Sequence, residues 1–144
     1  PFIAWWPGHV KAGKTSSHVS AFWDFLPTVC ELAGVTQSFN TDGKSFVPTL
    51  TGEGGQLEHD YLYFEFHEGD GAQAARKGNW KAVVKGTKTT IPQALELYDL
   101  EKDPGEQHDL ATQNPDKAKE MNAIMLKAHK PSAVFPFYSE VKKE

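Results

Sequence analysis

The chain has 144 residues, the size of one domain; 39% are apolar, and 4 Trp, 4 Tyr and 9 Phe are enough to build a core. A formal charge of −4 with scattered Lys and Arg excludes the concentrated basic surface that nucleic acid requires. No apolar run approaches the ~18 residues that span a bilayer, and a single cysteine, Cys30, excludes an internal disulfide or a Cys metal cluster.

The opening PFIAWWPG predicts an extended apolar strand over residues 1–6, stopped by Pro7-Gly8. It lacks the charged and apolar regions of a signal peptide. A start in Pro1-Phe2-Ile3, without Met, reads as cut from something longer. A polar loop, HVKAGKTSSH, follows. Asp24 then stands as an N-cap, Pro27 in a first helical turn and Gly34 at a left-handed C-terminus. Leu26, Val29, Cys30 and Ala33 share one face of that helix and are expected to pack in a core.

Residues 35–60 read as loop with one helical turn near Phe46–Leu50. YLYFEFHE alternates, with Leu62, Phe64 and Phe66 on one face and Tyr63, Glu65 and His67 on the other, as in a half-buried strand. Gly78-Asn79 centres a two-residue hairpin, and residues 95–100 form a further short strand. Asp103-Pro104-Gly105-Glu106 ends that strand as a type II turn, with φ > 0 expected at Gly105. Asn114-Pro115-Asp116 opens the last helix, whose apolar stripe is Ala118, Met121, Ile124, Met125 and Ala128, ending near Pro131.

In this order, PFIAWWPGHV, DFLPTVCELAG, TDGKSFVPTLTG, ARKGNWKAV and LELYDLEKDPGEQHDLA resemble the C-terminal part of type I sulfatases, the arylsulfatase-like branch of the alkaline phosphatase superfamily. The likeness covers roughly residues 1–126. It implies an α+β fragment: a small antiparallel β-sheet packed on a C-terminal helix, preceded by a strand and helix of the larger α/β core. It divides the chain into residues 1–58 (tail end of the core), 59–130 (sheet subdomain with the final helix) and 131–144 (tail). The implied parent hydrolyses sulfate esters on a carbohydrate or aryl group, using formylglycine from a C/S-x-P-x-R motif and a calcium ion. That motif is absent here, and Cys30 in TVCELAG lacks its proline and arginine. Catalytic residues and metal ligands are therefore expected in the N-terminal catalytic region of the parent. The 144 residues alone are expected to be inactive, to bind no cofactor and to self-associate through the apolar start. The resemblance further implies an exported parent, periplasmic or extracellular, with a sulfated small molecule or saccharide as ligand.

Within the fragment, the candidates for a cleft wall are His67, Glu68 and Arg76, beside the Gly-rich loop that also holds Asp70. Arg76 suits a sulfate or carboxylate, which its guanidinium meets with two parallel hydrogen bonds. The plainer reading is a solvated hairpin with Arg76 paired to Glu68 or Asp70. A metal cluster at His67, Glu68 and Asp70 is disfavoured by their spacing. His9 and His18 read as exposed polar residues, and Trp6, Trp23 and Trp80, unlike Trp5, as core aromatics. Two rivals stand beside the sulfatase reading: a phosphodiesterase or phosphonate hydrolase of the same superfamily, and a self-standing saccharide-binding or protein-interaction module.

Overall fold

The computed structural model describes residues 2–37 and 40–141; Pro1, 38–39 and 142–144, which fall in the expected strand, loop and tail, lie outside the described residues. The chain forms two compact units, Pro1–Asp60 and Tyr61–Glu144.

In the first unit, a 3-10 turn at Phe22–Asp24 runs into α1 (Phe25–Leu32), and a short α2 (Val47–Thr51) follows a long connection. The segment 2–6 has no ladder partner among the described residues, so the expected opening strand is irregular backbone, followed by a turn in which His9 and Val10 donate to the Trp6 carbonyl. Gly34 ends α1 with φ +71°, as its position predicts.

The apolar face of α1 is not where the unit buries its helix. Leu26 and Val29 are 46% and 51% exposed and Cys30 is half-buried, whereas Thr28 and Asp24 are buried. Polar bonding decides this orientation. Thr28 Oγ1 donates to the Asp24 carbonyl (2.6 Å) and accepts from the Phe46 amide (3.0 Å), which ties α1 to the start of α2. Asp24 does not cap α1 with its side chain. It accepts instead from the Ala21 amide (2.7 Å), the Lys44 amide (2.8 Å) and His59 Nε2 (2.9 Å). With three donors, both oxygens of this buried carboxylate are hydrogen-bonded. The approach is close enough that a Cβ at Gly43 would lie 2.3 Å from the Trp23 carbonyl oxygen, so TDGKS needs its glycine there. Phe2, Phe25 and Phe46 meet edge to face at 5.4–5.6 Å between centroids, and of the three only Phe46 is buried.

The second unit is a four-stranded antiparallel meander, β1 (Leu62–Phe66), β2 (Ala72–Lys77), β3 (Trp80–Lys85) and β4 (Glu96–Asp99), in sequential order. Lys77 pairs with Trp80 across Gly78-Asn79, and Gly78 adopts φ +58°, the left-handed conformation that a two-residue hairpin demands. Helix α3 (Pro115–Ala128) packs on β2 and β3. Met121 and Met125 of its stripe are completely buried with Ala75, Ala82, Val84 and Leu97, and Trp80, Ala118 and Ile124 pack around them. Asn114 is the N-cap by position, but its amide donates backward to the Leu110 carbonyl (3.2 Å) and does not cap the helix.

The turn after β4 differs from expectation in one residue. Glu106 donates its amide to the Asp103 carbonyl (3.2 Å), but the left-handed residue is Glu106 (φ 54°) and not Gly105. Asp103 explains the shift, since its carboxylate accepts from the amides of Gln107 and His108, both at 2.8 Å, and curls the chain one residue later. Asp109 Oδ1 accepts from the amides of Leu97 and Ala111, both at 2.9 Å, and so closes the outer edge of β4.

Candidate functional site

The strand end singled out in the sequence lies in the second unit. His67 follows β1 directly, and alternation turns its side chain to the same face as Tyr63 and Glu65. Its Nε2 is 3.0 Å from Glu65 Oε2, and its ring stacks on Phe135, with centroids 5.0 Å apart. The other nitrogen, Nδ1, is buried without a hydrogen-bond partner. His67 is thus held inward by a carboxylate and two aromatic rings, Phe135 and Phe137. Glu68 is exposed in the β1–β2 turn and accepts the Gly71 amide through its backbone carbonyl (3.1 Å). Asp70 is exposed in the same turn, its carbonyl accepting the Lys88 amide (2.9 Å).

Arg76 does not join them. The antiparallel register pairs Phe66 with Ala72 and Leu62 with Arg76, so Arg76 stands at the far end of β1 from His67. At ~3.4 Å per residue that is roughly 17 Å along the strand. It also lies on the opposite face, because Ala75, next to it, points into the core beneath α3. Its Nε donates to the Gly78 carbonyl (3.1 Å), and it makes no ion pair with Glu68 or Asp70 among the described residues. The candidates therefore divide into an inward-held His67, an exposed Glu68 beside it, and a separate Arg76 across the sheet.

Around His67 the structure adds residues that the sequence did not bring together. Glu65 accepts from Tyr63 Oη (2.6 Å) and lies 2.7 Å from His129 Nδ1, which belongs to the residue capping α3. His129 Nε2 is 2.7 Å from Glu140. Burial raises the Glu65 carboxyl, but hydrogen bonds from Tyr63 and His129 outweigh it and hold the group below the usual carboxylate range. Burial and then Glu65 push the Tyr63 phenol up. Sixty-four residues separate Glu65 from His129, so no local pattern announces the pair.

In the first unit, Trp6 is 39% exposed and stacks on His9 (centroids 4.0 Å apart) and is not a core aromatic, while Trp5 is 86% exposed, as expected. Trp80 packs against the core of the second unit. No group of three or more His, Cys, Asp or Glu among the described residues is placed to hold a metal ion, so the donor set for calcium is not found in this chain's described part. Nor does any described helix have the length and apolarity to cross a membrane.

Comparison with known proteins matches the geometry. The family described as N-sulphoglucosamine sulphohydrolase, C-terminal, matches residues 1–130. Delta 4,5-hexuronate-2-O-sulfatase of Bacteroides thetaiotaomicron is 35% identical over 118 residues, covering 77% of this chain and 24% of that protein. Ulvan-active sulfatase of Formosa agariphila is 31% identical over 147 residues, covering 81% and 29%. A structure solved in complex with its substrate, D-glucosamine-2-N,6-O-disulfate, superposes with a TM-score of 0.71 at 26% identity, over 85% of this chain and 26% of that one. The chain thus spans about a quarter of the length of the curated relatives it matches. The sheet, its covering helix and the motif order agree with that match, and the chain belongs to the family of N-sulphoglucosamine sulphohydrolase C-terminal domains.

Proposed function

We propose that this chain is the C-terminal part of a sulfatase that hydrolyses sulfate esters on a carbohydrate, where it completes the fold and supplies one wall of the substrate cleft. The observation that carries the reading is the unbroken family match over residues 1–130, with relatives whose names specify sulfated uronate and ulvan chemistry.

The chemistry divides accordingly. Formylglycine and calcium belong to the N-terminal catalytic region of the parent, and no step of the hydrolysis is assigned to residues of this chain. Cys30 sits half-buried on α1, outside any C/S-x-P-x-R motif, and is not the nucleophile. What the chain offers a saccharide is polar surface on a rigid sheet. Glu68 stands exposed in a turn carried by β1 and β2, and it suits hydroxyl groups as an acceptor. Among the described residues Arg76 hydrogen-bonds through Nε, to the Gly78 carbonyl, and its terminal nitrogens are suited to a sulfate oxygen pair. His67, held by Glu65, shapes the strand end.

The exposed apolar side chains of the first unit, Phe2, Ile3, Leu26, Val29 and Leu32, are in this reading covered by the parent's N-terminal region. The isolated 144 residues therefore turn over no sulfate ester and self-associate; elution at a monomer mass across micromolar concentrations would contradict the second point. We place the parent outside the cytoplasm, which fractionation of the source cells tests. The reading frame upstream of the Pro1 codon tests the whole assignment. It is expected to carry C/S-x-P-x-R followed by a calcium-type Asp pair, and a start codon at that edge with no such motif would overturn it.

A further inference from the structure

A charged network surrounds His129, where β1, the end of α3 and the C-terminal segment meet. His129 leaves α3 with its ring nearly parallel to that of Phe137, centroids 4.1 Å and planes 12° apart. Its Nδ1 lies 2.7 Å from Glu65 Oε1 on β1, and its Nε2 lies 2.7 Å from Glu140 Oε1 in the C-terminal segment. An ionised carboxylate only accepts hydrogen bonds, so two such contacts need two ring N–H groups. The ring that fits is the imidazolium. A neutral imidazole would satisfy one carboxylate and turn a lone pair on the other.

The rest of the network is acceptor-rich. Tyr63 Oη donates to Glu65 Oε1 and lies 3.1 Å from Gln73 of β2; His67 Nε2 lies 3.0 Å from Glu65 Oε2. Lys88, from the loop after β3, donates to the His67 carbonyl (3.0 Å) and so faces the edge of the network. Glu140 Oε2 accepts the Phe137 amide (2.9 Å), and the Tyr138 amide reaches the Thr87 carbonyl (2.9 Å). Among the described residues the segment is thus hydrogen-bonded to the rest of the unit at two places, by one backbone bond and by His129, and the Phe137 ring lies against His129 and His67.

We propose that His129 is a proton-dependent latch that fastens the segment Phe137–Glu140 to β1 and holds one wall of a cavity of about 230 Å³ bounded by Gln73, Val84, Thr87, Leu126 and Tyr138. Glu65 and His129 lie within the family match over residues 1–130, and the segment they fasten lies beyond it. Burial disfavours the charged ring, but Glu65 and then Glu140 outweigh it and raise the His129 pKa. A raised histidine makes the latch complete below the ordinary value of about 6.5 and releases it as pH rises through the folded value. The cavity wall loosens on the alkaline side.

Amide exchange of Tyr138 and Glu140 in the 144-residue chain tests this, corrected for intrinsic exchange, at pH 6 and at a pH above the His129 titration midpoint read from its ¹⁵N shifts. Protection is expected to fall about tenfold or more across that interval, the loss of one charge-assisted hydrogen bond. In Glu140→Gln, the amide can donate to a neutral Nε2 while its oxygen keeps the Phe137 amide. Protection there is expected to persist at both pH values. ¹⁵N shifts of His129 in the wild-type chain supply a second readout and should report both ring nitrogens protonated at pH 6. Protection that does not change with pH, the same fall in Glu140→Gln, or a neutral His129 at pH 6 would each overturn the latch. Should the variant fail to fold, the wild-type exchange and the ¹⁵N shifts decide alone.

Discussion

Met121→Ala removes the side chain at the centre of the sheet–helix core, and its cost can be worked from the packing. Met121 is completely buried, against Ala75, Ala82, Leu97 and Met125. Truncation deletes three heavy atoms, which at ~0.8 kcal/mol each is a transfer loss of roughly 2.4 kcal/mol. A cavity term adds to it, because Ala75 and Ala82 in the same core cluster are short side chains on a hydrogen-bonded sheet and can fill little of the space. The sum is about 3–4 kcal/mol, inside the 2–5 kcal/mol that buried Met truncations span. Against a total stability of about 5–15 kcal/mol, that is a large fraction. Urea unfolding followed by the helical circular dichroism of α3 measures it. Leu126→Ala on the same helix, where Leu126 is 70% exposed, should cost within about 0.5 kcal/mol. A loss under about 1 kcal/mol at Met121, or equal losses at the two positions, would refute the packing argument.

Other residues give further outcomes. Asp109→Ala leaves the Leu97 and Ala111 amides without their acceptor and should cost about 1–2 kcal/mol, whereas Asp109→Asn, whose amide oxygen can take both, should fall within about 0.5 kcal/mol by the same unfolding assay. Asp24→Ala strands three donors in the first unit and should cost about 3 kcal/mol or more, read most directly as lost exchange protection at the Lys44 and Ala21 amides. Lys117 and then Lys77 hold the Glu120 carboxyl down to about 2, so its contribution is complete above the ordinary carboxylate range and lost as pH falls from there toward 2. Glu120→Gln should flatten that acid limb of the stability curve, and an unchanged limb would count against the pairing. In the parent enzyme, Glu68→Gln and Arg76→Met should raise KM for a sulfated saccharide several-fold with kcat little changed, and unaltered KM in both would remove them from the cleft wall.

Periodicity and turn chemistry made most of the second unit legible. Met121 and Met125 sit on the predicted stripe and Gly78-Asn79 makes the predicted hairpin, but β1 turns the opposite face inward: Phe64 and Phe66 are exposed, while Tyr63, paired with Ala75, packs against the core. The first unit was less legible, because polar bonds and not apolar spacing orient α1. Thr28 and Asp24 turn inward to bind backbone amides, and Leu26 and Val29 are left at the surface. At the DPGE turn, Asp103 recruits the Gln107 and His108 amides and moves the left-handed position from Gly105 to Glu106. The candidate site suffered a similar limit. Residue type singled out His67 and Arg76, but only the strand register shows that they occupy opposite ends and faces of the hairpin. The Glu65–His129–Glu140 contacts join three elements distant in sequence, and no local pattern carries them.

The central claim is that this chain is the C-terminal part of a carbohydrate sulfatase. Release of inorganic sulfate from a panel of sulfated saccharides, measured by ion chromatography for the full reading frame and for the 144 residues alone, tests it most directly. The account predicts release by the full protein from at least one saccharide and none by the isolated chain. Turnover by the isolated chain, or a full protein that cleaves phosphate diesters and no sulfate ester, would contradict it.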